Sequence, residues 1–288
     1  ALVWRSLVFD HIHCCSPVRI MSKQNQFPLL SNTCNYKPVT SSSAKMIVKS
    51  VCDLISQIDS REKPVRTILD LGAGRGELAN RLVSPRRSVL AVDISPKVLG
   101  QGSHRGFPVA MDARSLALPD HSIDVVICLR TIWTFEKLDK CLAEISRILC
   151  RNGSFIAQLW TTPRECRLFS LGSSVLGLYN PDMLLPEGSI GPFQLSPKSL
   201  SEMTLSMQLR LCSVERHEIF IDVSGVTDYW DEFRGLAESA DYRRLSLPPT
   251  IQKKVDETLE HFLNQAYSGA EEYFRIPLTW VLAEFRKY

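Results

Sequence analysis

The chain has 288 residues, 44% of them hydrophobic and 23% charged, with a formal net charge of +3. That supplies enough apolar side chain for one large α/β domain or two small ones. Basic residues are mixed with acids rather than gathered in runs, which excludes a nucleic-acid stripe or a basic membrane patch.

The nine cysteines are odd in number and scattered, with no C-x-x-C and no Cys/His set at zinc spacing. They read as reduced thiols of a cytoplasmic protein without a metal site. The opening "ALVWRSLVFD" is apolar but interrupted by Arg5 and Asp10, and it is too short to span a membrane. Met21 opens "MSKQNQ" as a normal start would. Residues 1–40 are therefore expected to be a leader or flexible segment, with 1–20 outside the fold, and residues 41–288 a single domain.

From Val65 onward apolar runs alternate with helical patterns. "VRTILDLG" suits a buried strand, and "GELANRLV" follows as a short helix that stops at Pro85. "SVLAVD" is a second strand closed by Asp93; Ser95 and Pro96 then supply an N-cap and a first-turn proline. "PVAMDA" and "SIDVVICL" read as third and fourth strands. In "TFEKLDKCLAEISRILCRNG", Leu138, Leu142, Ile145 and Leu149 recur at helical spacing, and Asn152-Gly153 predict its C-cap. "SFIAQLW" is the fifth strand. This alternation predicts right-handed crossovers and a parallel sheet covered on both faces.

The second half is less regular. Residues 161–195 are rich in Gly, Pro and Ser and too long for a plain connection, so they are expected to form a functional loop or cap. Ser196-Pro197 start a helix that runs to about Leu209, and "LCSVERHEIFIDV" alternates like a strand with one wetter face. Residues 224–275 read as a helical insertion, with Ile251, Val255, Leu259, Phe262 and Ala266 on one face, before the last strand "IPLTWVLAEF".

The most informative stretch is "LDLGAGRGELANRL", a strand ending in Asp70 and then Gly72, Gly74 and Gly76. Gly72 and Gly74 are expected to bring backbone against a ligand, and Gly76 to let the helix pack on the strand. Asp93 after the second strand can accept both hydroxyls of a ribose. A dinucleotide fingerprint would need a third glycine where Glu77 stands, and Asp70 would sit badly beside a pyrophosphate. No G-K-[ST] follows, so a P-loop is excluded. Asp70 suits a nucleoside ligand carrying positive charge, such as S-adenosyl-L-methionine (SAM).

Residues from about Val65 to Trp160 resemble class I SAM-dependent methyltransferases of the small-molecule branch. "ILDLGAGRGELANRL" looks like their first motif, "VLAVDISPKVL" like the acid-tipped second strand, and "LAEISRILCRNGSFIAQ" like their helix and the strand after it. The resemblance implies a Rossmann-like α/β fold. Its seven-stranded, mostly parallel sheet would carry helices on both faces, an inserted antiparallel last strand, and cap insertions at about 161–195 and 224–275. It implies that Asp70, Gly72, Ala73, Gly74 and Gly76 line the methionine end, that Asp93 holds the ribose, and that Ile94 packs on the adenine. Asp112, beside Ala113, would reach the adenine amino group, with Leu129 and Arg130 near the methyl donor. Arg75 departs from the small or polar residue usual there; it would pair with the SAM carboxylate or face solvent.

No residue announces itself as the catalytic base. His104, His121, His217 and His261 are isolated, and His217 and Asp222 around the sixth strand are the candidates to watch. Trp133, just past strand four, is pocket wall or core. Trp160, Phe169, Tyr179, Phe193, Tyr229, Trp230 and Tyr273 are expected to supply an apolar lid, and Tyr36 is a candidate cofactor lid. The leading expectation is methyl transfer from SAM to the oxygen, nitrogen or carbon of a small-molecule acceptor, with no nucleic-acid partner. The alternatives are SAM-dependent cyclisation or rearrangement, and a non-catalytic scaffold. The sequence leaves the oligomeric state open.

Overall fold

Strands buried on both faces read as continuous apolar runs, and this chain has several. They form β1 (Thr67–Leu71), β2 (Ser88–Asp93), β3 (Phe107–Ala110), β4 (Ile123–Cys128), β5 (Leu149–Trp160), β6 (Leu209–Val223) and β7 (Phe274–Lys287). The computed structural model describes residues 41–61, 64–179, 189–267 and 272–288. The expectations placed on residues 1–40, including the start at Met21 and the lid residue Tyr36, lie outside the described residues, as do residues 180–188 of the first insertion.

The strands form one seven-stranded sheet in the order β3-β2-β1-β4-β5-β7-β6. β1 to β5 pair in parallel, and β7 runs antiparallel to both β5 and β6. Every carboxyl end of β1 to β6 therefore opens on the same edge, where ligands of such sheets bind. The centre is dry: Ile68, Leu69, Val126, Ile127, Phe155 and Leu282 have no exposed surface.

Helix α1 (Ser42–Asp59) covers one face with Ile47, Val51, Leu54 and Ile58 at helical spacing. Its start is fixed twice. The Ser41 hydroxyl accepts from Ala44 N–H at 3.1 Å, and Glu232 accepts from the N–H groups of Ser42 and Ser43 at 2.7 and 3.0 Å. A carboxylate at a helix N-terminus also meets the positive end of the macrodipole. The crossovers carry α2 (Glu77–Leu82), α3 (Pro96–Gly100) and α4 (Leu138–Ile148). Residues 161–195 include α5 (Arg167–Tyr179), followed by α6 (Pro197–Thr204). Residues 224–275 fold as α7 (Val226–Leu236), α8 (Glu238–Leu245) and α9 (Pro249–Ala266).

Four local expectations need correction. Helix α4 starts at Leu138, because Lys137 before it takes φ 50° and breaks the pattern. Asn152-Gly153 does not cap that helix. The ladder steps from Ile123 opposite Leu149 to Val125 opposite Ser154, so residues 150–153 loop out as a bulge in β5, where Asn152 takes φ 62°. A C-cap and a bulge both recruit a left-handed residue, which is why the signal was ambiguous. Helix α6 ends at Thr204, and Leu209 already belongs to β6. On α9 the buried positions are Val255, Leu259 and Leu263, whereas Ala266 is exposed.

Candidate functional site

The turn after β1 is hung from β2: Gly72 and Ala73 both donate their N–H to Val92 O, at 2.8 and 2.9 Å. Its three glycines do different jobs. Gly72 has φ 79°, and a Cβ there would meet the Thr131 side chain at 2.5 Å, so this glycine makes room for the segment leaving β4. Gly74 has φ 56°, and a Cβ there would point into open space. Gly76 caps α2, and a Cβ there would collide with the His104 ring rather than with the strand. His104 is held by Leu99 O at 2.7 Å and is thus a support beneath the turn.

Asp70 ends β1 fully enclosed. Its Oδ2 has no hydrogen-bond partner, and burial raises its carboxyl to about 7. Asp93, at the tip of β2, accepts from Gly74 N–H at 3.0 Å and Ser95 N–H at 2.9 Å, so it also fixes the turn. Burial raises its carboxyl, while those donors pull the other way. Ile94 next to it is 57% exposed, an uncovered apolar shelf beside an acid. Asp112 is already engaged. Arg114 grips its carboxylate at 2.6 Å, lowers its pKa and reaches Glu136 at 2.8 Å, with Ala113 half-buried between.

Leu129 and Arg130 leave β4 beside this turn. Leu129 is buried. Arg130 has φ 60°, donates its backbone N–H to Gln158 Oε1 at 3.0 Å and sends its guanidinium to Gly235 O and toward Glu77 at 3.8 Å. Burial lowers its pKa. Arg75 does not simply face solvent: it pairs with Glu238 of α8 at 2.8 Å. Burial raises the Glu238 carboxyl, against the pull of Arg75, Arg130 and Arg234. The second insertion is thereby tied across the glycine turn by an acid that no local pattern in the sequence singles out.

Trp133, on the 3-10 turn Ile132–Thr134, is 4% exposed and lies 5.8 Å from Trp160 and 6.4 Å from Phe169, ring to ring. Phe169 also stacks on Trp160 at 5.1 Å and neighbours Phe193 and Phe233. Of the aromatics expected to supply a lid, Trp160, Phe169 and Phe193 thus join one aromatic cluster with Trp133 and Phe233. Tyr229 and Trp230 belong to its outer wall: Tyr229 donates to Leu168 O and accepts from Gly172 N–H, and Trp230 donates to Asp256. Tyr179 pairs with Thr258, and Tyr273 is exposed.

The suggested bases fare differently. His217 stacks on Trp280 at 5.2 Å, and its Nε2 lies 3.6 Å from Glu215, beyond hydrogen-bond reach. It sits two strands from β5. Asp222 is exposed on the opposite face of β6, opposite Arg275 in the ladder, and the structure does not bring it to the site. His121 lies at the amino end of β4, on the far edge of the sheet, and His261 is exposed on α9. Among the described residues no group of three or more His, Cys, Asp and Glu is placed to hold a metal.

Residues 69–157 match the family model of the methyltransferase domain. Those residues resemble a methyltransferase domain, and the sheet around them has the Rossmann-like α/β fold. The chain is 33% identical over 103 residues to the uncharacterized methyltransferase Rv3342 of Mycobacterium tuberculosis, covering 35% of this chain and 42% of that one. It is 36% identical over 107 residues to the malonyl-acyl-carrier-protein O-methyltransferase of Geobacter sulfurreducens, covering 34% and 39%. The chain thus spans less than half the length of these curated relatives. The YcgJ protein of Bacillus subtilis shares the fold at a TM-score of 0.54 and 18% identity, over 83% of this chain and 98% of that one. The match ends at Ala157, so the end of β5 and the later insertions lie outside what the family model describes.

Proposed function

We propose that residues 41–288 form one domain that transfers a methyl group from SAM to a small-molecule acceptor. The observation that carries the reading is the buried, unpartnered Asp70 Oδ2 behind the open face of Gly74. An enclosed carboxylate oxygen with no donor is costly unless a ligand supplies one. The amino group of a bound amino acid does so, and Asp93 and Ile94 stand where ribose hydroxyls and an adenine face would follow. The residues present fit SAM.

SAM, when bound, supplies an electrophilic methyl with a neutral thioether as leaving group. The chain's own residues then bind, orient and exclude water. Asp70 receives the ammonium, and Asp93 holds the ribose while fixing the turn through Gly74 N–H. Leu129 and the aromatic group around Trp133 wall off the segment beyond β4. Orientation of this kind saves roughly 7–11 kcal/mol of barrier when the reactants are well aligned. A small acceptor is supported by the enclosure of Trp133, Trp160 and Phe169 and by the mild, mixed charge. Cys128, Cys141 and Cys166 are free and buried, which supports a reducing, cytoplasmic setting.

Calorimetry tests the reading. Asp93→Ala should weaken SAM binding by about 1–3 kcal/mol, the worth of charge-assisted hydrogen bonds. Unchanged affinity in that variant would remove the ribose from this position. Incubation with SAM and a metabolite extract should accumulate S-adenosylhomocysteine (SAH); binding without SAH formation would instead favour a non-methylating role.

A further inference from the structure

Among the described residues several more buried polar atoms lack partners, and two of them lie on β5: Gln158 Nε2 and Trp160 Nε1. The register relates them to Asp70. Asp70 stands opposite Ile127 and Ile127 opposite Ile156, and side chains alternate along a strand. Asp70, Gln158 and Trp160 therefore project from one face of the sheet. Two strand spacings, about 10 Å, separate β1 from β5. Gln158 and Trp160 lie further toward the carboxyl edge, beside the segment leaving β4.

The direction of the Gln158 amide is set by its neighbour. Arg130 N–H donates to Oε1, so the free end is the NH₂ group, a donor. Trp160 Nε1 is also a donor, and its ring lies among Trp133 and Phe169. Other enclosed aromatic donors here are satisfied: Trp230 by Asp256, Trp280 by Ser50 and Tyr229 by Leu168 O. Two donors left over two residues apart on one face of a strand, beside aromatic donors that are satisfied, point to a ligand oxygen with two lone pairs. Both donors are neutral, and a buried unpaired carboxylate would be costly there, so a neutral oxygen fits best.

We propose that Gln158 and Trp160 hold the methyl acceptor by a carbonyl oxygen, with its apolar body against Trp133 and Phe169. This rests on the SAM reading above and adds the acceptor class: an uncharged apolar ketone, ester or quinone-like carbonyl compound. Gln158 and Trp160 then act as specificity residues for the acceptor and leave SAM affinity to Asp70 and Asp93.

The test uses the full chain, ¹⁵N-labelled and saturated with SAH, with acetophenone and its hydrocarbon counterpart ethylbenzene as probes. The Trp160 indole N–H signal is assigned by its loss in Trp160→Phe, or by its contacts to the Phe169 ring. Acetophenone should move that signal and bind roughly three- to tenfold more tightly than ethylbenzene, the worth of one or two hydrogen bonds. Gln158→Leu and Trp160→Phe should each lose part of this preference while SAH affinity stays unchanged. An indole signal that acetophenone does not move, or equal binding of the two probes to wild-type protein, overturns the proposal even if neither variant folds. Failure of the underlying reading shows separately, as wild-type protein that does not bind SAH.

Discussion

At the scale of single residues, Asp70 and the glycines around it carry the sharpest expectations. Its folded pKa, raised by burial to about 7, exceeds the ordinary value of 3.8. The stability tied to its protonated form is therefore lost as pH rises from about 4 through about 7. A ligand ammonium needs the ionised form, so SAH affinity should rise about tenfold between about pH 6 and about pH 8, with proton release near pH 6. Calorimetry in buffers of different ionisation enthalpy reads both; a flat profile would deny contact between Asp70 and the amino group. Gly74→Ala should cost only the about 1–2 kcal/mol of left-handed backbone while abolishing SAM binding, since open space surrounds its Cβ. Gly72→Ala should lower the thermal midpoint further, because its Cβ also meets Thr131. Equal melting of the two variants would contradict this division. The acid and glycine pattern was legible in the sequence because a tight turn of left-handed residues after a strand demands glycine. The identity of each glycine's neighbour was not, because Thr131 and His104 lie many residues away. Asp112 was legible as an acid at a strand end, yet Arg114 two residues on claims it.

At the scale of elements, periodicity located the strands and helices well where one face or both are dry. Signals used by two structures were the failures. Asn152-Gly153 serve a bulge rather than a cap, and Lys137 ends a helical pattern that the apolar spacing alone would extend. The irregular stretches could not be read in detail because α5, α7 and α8 gain their order from one another: Phe233 of α7 stacks on Phe169 of α5. Trp133 stands where the strand-four exit meets this group. Trp133→Leu should reduce SAH release in turnover more than replacement of His121, His217 or His261, because orientation contributes more here than one base, which typically gives about 10²–10⁴-fold. A histidine variant that loses about a thousandfold in rate with SAM affinity intact, beside an active Trp133→Leu, would call for base-assisted transfer.

At the scale of the molecule, the sheet delivers Asp70, Asp93 and the β4 exit to one edge. Glu232 fixes the start of α1, Gly235 O receives Arg130, and Glu238 pairs with Arg75, all from α7 and α8 or their junction. The second insertion is therefore connected to the glycine turn by the Arg75–Glu238 ion pair. Among the described residues no helix is long and apolar enough to cross a membrane. Whether the glycine turn and Asp70 receive SAM is read by calorimetric titration of SAM into wild-type protein and Asp70→Asn at neutral pH. Wild type should bind, and Asp70→Asn, isosteric but uncharged, should bind roughly 10- to 100-fold more weakly, the worth of a hydrogen bond to a charged group. Equal affinity in the two proteins, or a wild type that does not bind SAM, would contradict that placement.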